Sequence, residues 1–94
     1  MNQEFNNKLL HDALLHDVHI NWEERRCKAT ITLVGGKHIA VLWRGVKELH
    51  LPHESPWGES ASINSVSVSH AGEYGIEMQS GDIITIKARK PKIT

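Results

Sequence analysis

The 94-residue chain has a single cysteine, Cys27, and this scarcity excludes several classes of site at once. One thiol cannot form an intrachain disulfide or a thiol-based metal cluster, and it is compatible with a reducing compartment. A thiol beside a histidine is a nucleophile pair in principle. The alternation of Cys27 with Ala29 and Ile31 instead predicts a small side chain inside a core.

Net charge is also lacking. Eleven basic and eleven acidic residues give a formal charge of zero. Nucleic-acid binders usually carry a basic excess, so we expect no nucleic-acid partner. A small basic cluster near the end is interpreted as a solvated terminus; it comprises Lys87, Arg89, Lys90 and Lys92.

Long apolar runs are missing. No stretch approaches the roughly 18–20 apolar residues of a transmembrane helix. Residues 1–6 lack the basic start and long apolar run of a signal peptide. We therefore expect a soluble, cytoplasmic protein that does not bind a membrane.

Signatures of catalysis are absent as well. The serines include no Gly-x-Ser-x-Gly elbow, and no paired-carboxylate pattern is present. The pair Gly35-Gly36 is typical of a turn and not of a phosphate-binding loop. We expect no enzyme activity and no cofactor.

What the chain does contain is alternation of apolar and polar residues, clearest over residues 74–88. Period two is the pattern of half-buried strands. Further strands are predicted near 18–22, 27–33, 38–44, 46–51 and 63–69, after a short helix within 3–10. We predict one all-β domain over residues 1–94, an antiparallel meander of six or seven strands. It would form a sandwich, a bent sheet or a small barrel.

The last hairpin permits a prediction of its register. A two-residue loop would place apolar side chains opposite polar ones. A three-residue loop over 80–82 pairs Met78 with Ile84 and Ile76 with Ile86, with all apolar side chains on one face. We favour this register because a slip of one residue reverses every side chain.

Register and facing are also predicted for two other segments. A four-residue loop over 23–26 pairs Trp22 with Cys27 and Ile20 with Ala29. The strand over 63–69 is predicted to face inward with Val66 and Val68, and the strand over 38–44 is apolar on both faces, as in the interior of a sheet.

The densest set of metal-type ligands lies near the N-terminus. It comprises His11, Asp12, His16, Asp17 and His19. Histidine and carboxylate side chains at short spacing can bind zinc or another divalent ion. On a strand, Asp17 and His19 share one face, whereas His16 shares the face of Val18. The alternative is that Asp12 accepts backbone N–H bonds at the strand entry and that the histidines are surface side chains.

The only long irregular stretch covers residues 52–62. Its Trp57, between a proline and a glycine, is a rigid aromatic anchor of the kind enriched at interfaces. The predicted binding residues are Trp57, His53, Glu54, Glu59 and Asn64. The alternative is that Trp57 folds inward to close the open end of the sheet while Asn64 holds the loop backbone.

Three segments carry a resemblance to a known group of proteins. They are the entry Leu10-His11-Asp12-Ala13, the loop Pro56-Trp57-Gly58 continuing to Ile63-Asn64, and the hairpin Glu77-Met78-Gln79-Ser80-Gly81-Asp82. Together they resemble a family of small bacterial β proteins, some of them described as toxin-immunity-like. In that family an aromatic residue usually stands where this chain has Leu10. The resemblance implies a standalone bacterial β domain and transfers no active-site residues.

We therefore predict a non-enzymatic protein-binding module, immunity-like, that uses the Trp57 loop and an exposed sheet edge. Such an edge can add a strand from a protein partner or from a second copy, which makes a homodimer plausible. The first alternative is a metal- or small-ligand-binding protein built on the N-terminal His/Asp cluster. The second alternative is a structural domain that works only inside a larger assembly.

Overall fold

The structure, a computed structural model, describes residues 5–51, 61–69 and 72–94. The predicted all-β antiparallel fold with a short N-terminal helix is confirmed, and these described ranges contain eight strands where six or seven were predicted. In chain order the elements are α1 (Asn7–Leu10), β1 (Leu14–Asn21), β2 (Arg26–Thr32), β3 (His38–Arg44), β4 (Glu48–His50), β5 (Ile63–Val68), β6 (Glu73–Met78), β7 (Ile83–Lys87) and β8 (Lys92–Ile93).

The strands form two four-stranded antiparallel sheets, with the orders β1-β2-β3-β8 and β4-β7-β6-β5. The strand missed from the sequence is β8. It pairs with Val41 and Leu42 of β3, so part of the basic terminus extends a sheet while the Lys92 side chain stays exposed. As predicted, β3 is an interior strand, because β2 and β8 lie on its two sides.

Both sheets contribute one face to a single hydrophobic core, as in a β-sandwich. Most of the alternating residues predicted to point inward in β2 and in the last hairpin are buried: Cys27, Ala29 and Ile31 of β2, and Tyr74, Ile76, Met78, Ile84 and Ile86. In β3, where no single inward face was predicted, Ile39, Val41 and Trp43 are the buried residues. The strand over 63–69 was predicted to face inward with Val66 and Val68. Val66 is half-buried. Val68 is 55% exposed, because β5 is an edge strand.

An aromatic cluster ties the N-terminal segment to both sheets. The Phe5 ring lies edge-on to Trp43 of β3, with ring centroids 5.5 Å apart, and to Tyr74 of β6 at 5.6 Å. Trp43 and Tyr74 are themselves 6.2 Å apart. Edge-to-face rings at these separations attract one another beyond the burial of their area.

The helix α1 is one turn long and lies within the predicted segment 3–10. Asn6 caps it, because its Oδ1 accepts a hydrogen bond from Leu9 N at 2.8 Å. It ends at Leu10 with His11 as its C-cap, and Asp12, the next residue, takes the left-handed conformation with φ at 64°. A helix of four residues has little stability of its own. It is held by the fully buried Leu10 and by packing against β5.

The predicted register of the last hairpin is wrong by two residues. Ile76 pairs with Ile84 and Tyr74 with Ile86, whereas Ile76 was predicted opposite Ile86. The loop has the predicted three residues but begins one residue earlier, at Gln79.

Turn chemistry explains this shift. Gly81 N donates to Met78 O at 2.9 Å, and Met78 N donates to Asp82 O at 2.8 Å. Gly81 is the residue with positive φ, at 98°, and it takes the last loop position. A shift of two residues leaves every side chain on its predicted face, so the predicted core residues are correct.

The first hairpin shows the same error for a different reason. Ile20 pairs with Cys27, and Trp22 leaves the strand to lie 58% exposed in the turn. Asn21 starts this turn, because its Oδ1 accepts a hydrogen bond from Glu24 N at 3.0 Å. Arg25 closes it with φ at 56°.

A β-bulge at His16 corrects the predicted facing of β1. Leu15 pairs with Ile31, and Asp17 pairs with the next residue, Thr30, so His16 is the extra residue. His16 therefore does not share the face of Val18, which is half-buried while His16 and Asp17 are exposed.

The two sheets meet at the start of β1. Ile63 N donates to Ala13 O at 2.8 Å, Asp12 N to Ile63 O at 2.9 Å, and Leu15 N to Ala61 O at 3.1 Å. These bonds attach the first residues of β1 to the first residues of β5 and end at the His16 bulge. In the described ranges no helix is long and apolar enough to cross a membrane.

Candidate interaction site

Four of the five residues predicted to bind a partner lie outside the described residues, namely His53, Glu54, Trp57 and Glu59. The fifth, Asn64, is the extra residue of a bulge in β5. Asn64 Nδ2 donates to Glu77 Oε1 at 2.8 Å, and Asn64 O accepts from His11 Nδ1 at 2.6 Å. The side-chain amide and the backbone carbonyl of Asn64 thus both form hydrogen bonds that join β5 to neighbouring segments.

His11 and Asp12 belong to the same corner. The Asp12 carboxylate lies 3.5 Å from His11 Nε2, and its Oδ1 accepts a hydrogen bond from the Gln79 side chain at 2.9 Å. The expected backbone N–H donors are replaced by this side-chain amide from the β6–β7 loop. His11 Nδ1 is the donor to Asn64 O, so this nitrogen carries a proton.

His16 contacts a residue that the sequence did not single out. His16 Nε2 lies 2.6 Å from Thr32 Oγ1, and His38 Nδ1 lies 2.8 Å from the same oxygen. The pairing of Thr32 with His38 across the Gly35-Gly36 turn was the available signal for this contact. Hydroxyl and imidazole groups fit each other here because each can donate or accept.

The structure does not bring the five predicted metal ligands together. It joins His11 to Asp12 and His16 to His38, and it leaves Asp17 and His19 further along β1. Across residues 5–51, 61–69 and 72–94, no group of three or more His, Cys, Asp or Glu side chains is placed to hold a metal ion.

Cys27 lies in the core, as predicted. It is fully buried, and this burial raises the pKa of its thiol from 9.0 to about 11. The reactive form of cysteine is the thiolate, so a raised pKa keeps Cys27 unreactive at neutral pH.

Beyond the bulge, no other described strand pairs with the outer side of β1. We call residues Asp17–Asn21 the β1 edge. Their backbone pairs with β2 on one side, and on the other side no described residue hydrogen-bonds to it. An open strand edge presents unpaired N–H and C=O groups that can pair with another chain.

The corresponding edge of the second sheet is covered at Asn64 and Val66 of β5. Asn7 Oδ1 accepts from Val66 N at 3.1 Å, and His11 donates to Asn64 O. The short helix α1 packs along β5 and places these side chains there. Covering an edge with a helix is one of the ways in which proteins prevent unwanted strand pairing. The two other edge strands are short, with three residues in β4 and two in β8.

The side chains of the β1 edge do not block strand addition. Val18 and Ile20 are half-buried on the inner face, and His19 and Asn21 are exposed on the outer face. Asp17 is its one acidic residue, and it has no lysine or proline, the residues that usually protect edges. This edge can therefore accept another strand.

A groove of about 300 Å³ lies on the outer face of the second sheet. Gly75 forms its floor between Ser67 and Thr85, with Glu73 and Ile83 beside it. A Cβ on Gly75 would lie 2.6 Å from Ser67 Oγ, so the absence of a side chain at Gly75 leaves room for the Ser67 hydroxyl.

No family model, curated protein or solved structure matches this chain. The resemblance to small bacterial β proteins therefore stays a prediction from the sequence. The surface of the described residues is the remaining basis for a functional proposal.

Proposed function

We propose that this chain is a non-enzymatic protein-binding module that takes an extended segment of its partner onto the β1 edge. The observation that carries the proposal is the difference between the two long edge strands. Within the described part of the chain, β5 is covered by α1, whereas the β1 edge is left open over five residues.

Strand addition explains what each part of this edge contributes. Backbone N–H and C=O groups along Asp17–Asn21 supply hydrogen bonds to any extended segment, which gives affinity. Val18 and Ile20 are half-buried, so an added strand with apolar residues at matching positions would extend the core. His19 on the outer face then distinguishes among partners by polar contacts.

The resemblance to toxin-immunity-like proteins supports a bacterial role in which the module binds and neutralises another protein. The Trp57 loop remains a predicted second contact. Its separate test is Trp57→Ala, because an intact partner complex in that variant would remove the loop from the interface.

The test of the β1 edge uses a matched pair of substitutions. Val18→Lys places an inward-pointing charge on the open edge, which natural proteins use to prevent strand addition. Val66→Lys makes the same change at a half-buried position on the covered edge strand. Each tagged variant is used to capture protein from lysate of the source cells, after circular dichroism and thermal unfolding have verified its fold.

We expect Val18→Lys to lose a partner that the unchanged protein and Val66→Lys both retain. Hydrogen exchange at the backbone amides of Asp17–Asn21 should slow when the purified partner is added. Retention of the same partner by a folded Val18→Lys variant would show that binding occurs elsewhere.

A further inference from the structure

We propose that the strand received by the β1 edge is the β1 edge of a second copy of this chain, paired antiparallel about a twofold axis at His19. This inference rests on the proposed function, since it names the partner of the same edge. It follows from the length of the edge and from the order of its side chains.

The length of the edge determines the register. At one end, Leu15 N is already bonded to Ala61 O, and the His16 bulge follows. At the other end, Asn21 starts the turn that takes Trp22 out of the strand. The segment that no described residue pairs with on this side is Asp17–Asn21, and its midpoint is His19.

Other registers use less of this segment. An axis at Val18 would place Asn21 of one copy opposite Leu15 of the other, where Ala61 already occupies the edge. An axis at Ile20 would require Trp22 to pair as a strand residue although it lies in the turn. An axis at His19 pairs all five residues of both copies.

The side chains match in this register. Val18 of each copy lies opposite Ile20 of the other, on the inner face, so four half-buried apolar side chains cover one another. Apolar side chains that lie directly opposite each other on one face stabilise an antiparallel ladder. These two pairs would join the cores of the two sandwiches.

The outer face matches as well. Asp17 of each copy lies opposite Asn21 of the other, where the asparagine amide nitrogen can donate to the carboxylate. Asn21 Oδ1 already accepts a hydrogen bond from Glu24 N within the turn, which leaves the amide nitrogen of Asn21 as the group that can donate to the second copy. His19 meets its own counterpart on the axis, and Lys28 lies beside each imidazole on β2. No pair across this ladder places two carboxylates opposite each other or two lysine or arginine side chains opposite each other.

The resulting assembly is closed. The two sheets of order β1-β2-β3-β8 become one sheet of eight strands whose outer strands are the two-residue β8 segments. A twofold interface uses the same surface on both copies and leaves none free for a third. The backbone N–H and C=O groups of both β1 edges are therefore paired within the dimer, and no β1 edge is left to add further copies into a fibre.

Disulfide trapping tests the register. His19→Cys places two thiols opposite each other on the axis, so mild oxidation should give a covalent dimer on a non-reducing gel. Asp17→Cys is the control on the same strand and face: its two copies would be four residues apart along the ladder, about 13 Å. That separation exceeds the roughly 7 Å between Cα atoms that a disulfide spans. Cys27 is fully buried in all these proteins, so the unchanged protein should give no cross-link.

The mass in solution tests the association itself. The unchanged chain of 10.6 kDa should elute with twice that mass by light scattering, and Val18→Lys should elute as a monomer. A monomer at every concentration, with no cross-link in His19→Cys, would overturn the second copy as partner. Equal cross-linking of Asp17→Cys and His19→Cys would overturn the register.

These outcomes are separate from those of the capture experiment. A monomeric protein whose captured partner is lost only in Val18→Lys would keep the proposed function and reject the second copy. A dimer trapped through His19→Cys, with a Val18→Lys variant that still captures a different protein, would keep the second copy and reject the edge as the site for that protein.

Discussion

Gln79 Nε2 donates a hydrogen bond to Asp12 Oδ1 at 2.9 Å across a separation of 67 residues. The bond joins the loop of the last hairpin to the entry of β1. The Gln79 backbone adds a second link, since its N–H donates to Ser62 O at 3.0 Å. Three segments distant in sequence are thus held at one corner, the corner that ends at the β1 edge.

This corner gives the first prediction. Asp12→Ala removes the acceptor for Gln79 and places alanine at a φ of 64°, so we expect the free energy of unfolding to fall by about 1–2 kcal/mol. Asp12→Asn keeps an oxygen acceptor and tolerates positive φ, and its loss should stay below about 0.5 kcal/mol. Asp12→Gly separates the two causes, because it relieves the backbone while losing the bond. Urea unfolding measures all three, and equal losses for alanine and asparagine would contradict this account.

The second prediction concerns pH and Cys27. Burial raises the pKa of this thiol from 9.0 to about 11 in the folded protein. Between these values the unfolded chain releases the proton while the folded chain retains it, so the free energy of unfolding falls as pH rises. Cys27→Ala removes this contribution, and the other groups that titrate in alkali are common to both proteins. Urea unfolding from pH 8 to pH 11 should show the steeper decline in the unchanged protein; parallel curves would refute it.

Gly72 supports the third prediction. A Cβ there would lie 2.9 Å from the Ala88 carbonyl oxygen, and φ is 74°. The Ala88 segment cannot easily move, because Ala88 N donates to Gly72 O at 3.0 Å. Gly35→Ala is the control, with φ at 102° and no atom within 4 Å of the added carbon.

We expect Gly35→Ala to cost about 1 kcal/mol and Gly72→Ala about 2–3 kcal/mol, because only the second adds a steric contact to the backbone strain. Thermal unfolding of the two variants measures the difference. A larger loss at Gly35 would show that the Ala88 carbonyl does not limit the space at Gly72.

The fourth prediction concerns the aromatic cluster. Phe5→Ala should lower the free energy of unfolding by about 3 kcal/mol, since the ring packs against Trp43 and Tyr74. Leu9→Ala, at a half-buried position on α1, should cost less. The near-ultraviolet circular dichroism of the folded protein should change in Phe5→Ala and not in Leu9→Ala. An unchanged spectrum in Phe5→Ala would show that this ring does not order its aromatic neighbours.

Much of the fold was predictable because alternation records the face of a side chain. Cys27, Ile76 and Ile84 are buried as predicted even though both hairpin registers are wrong by two residues. A pattern of period two is unchanged by a shift of two, so it cannot select between such registers. The turns set the two registers: Asn21 does so through its side-chain hydrogen bond in the first hairpin, and Gly81 through its positive φ in the last.

The candidate site was predictable only as a general expectation of an exposed sheet edge. Which edge is open depends on contacts between distant residues, such as Asn7 with Val66, which no local pattern records. The bulge at His16 also left no sign in the alternation, and it both moved that histidine off the Val18 face and set one end of the β1 edge.

The aromatic cluster also has a consequence for the order in which the chain matures. Phe5 is synthesised well before its neighbour Tyr74, which lies in β6. The Phe5 ring cannot complete its packing in the core until β6 has been synthesised. Non-local contacts of this kind make folding slow. The growing chain must therefore carry Phe5 without its Tyr74 neighbour until β6 has been made, an interval in which it is exposed to proteases and chaperones.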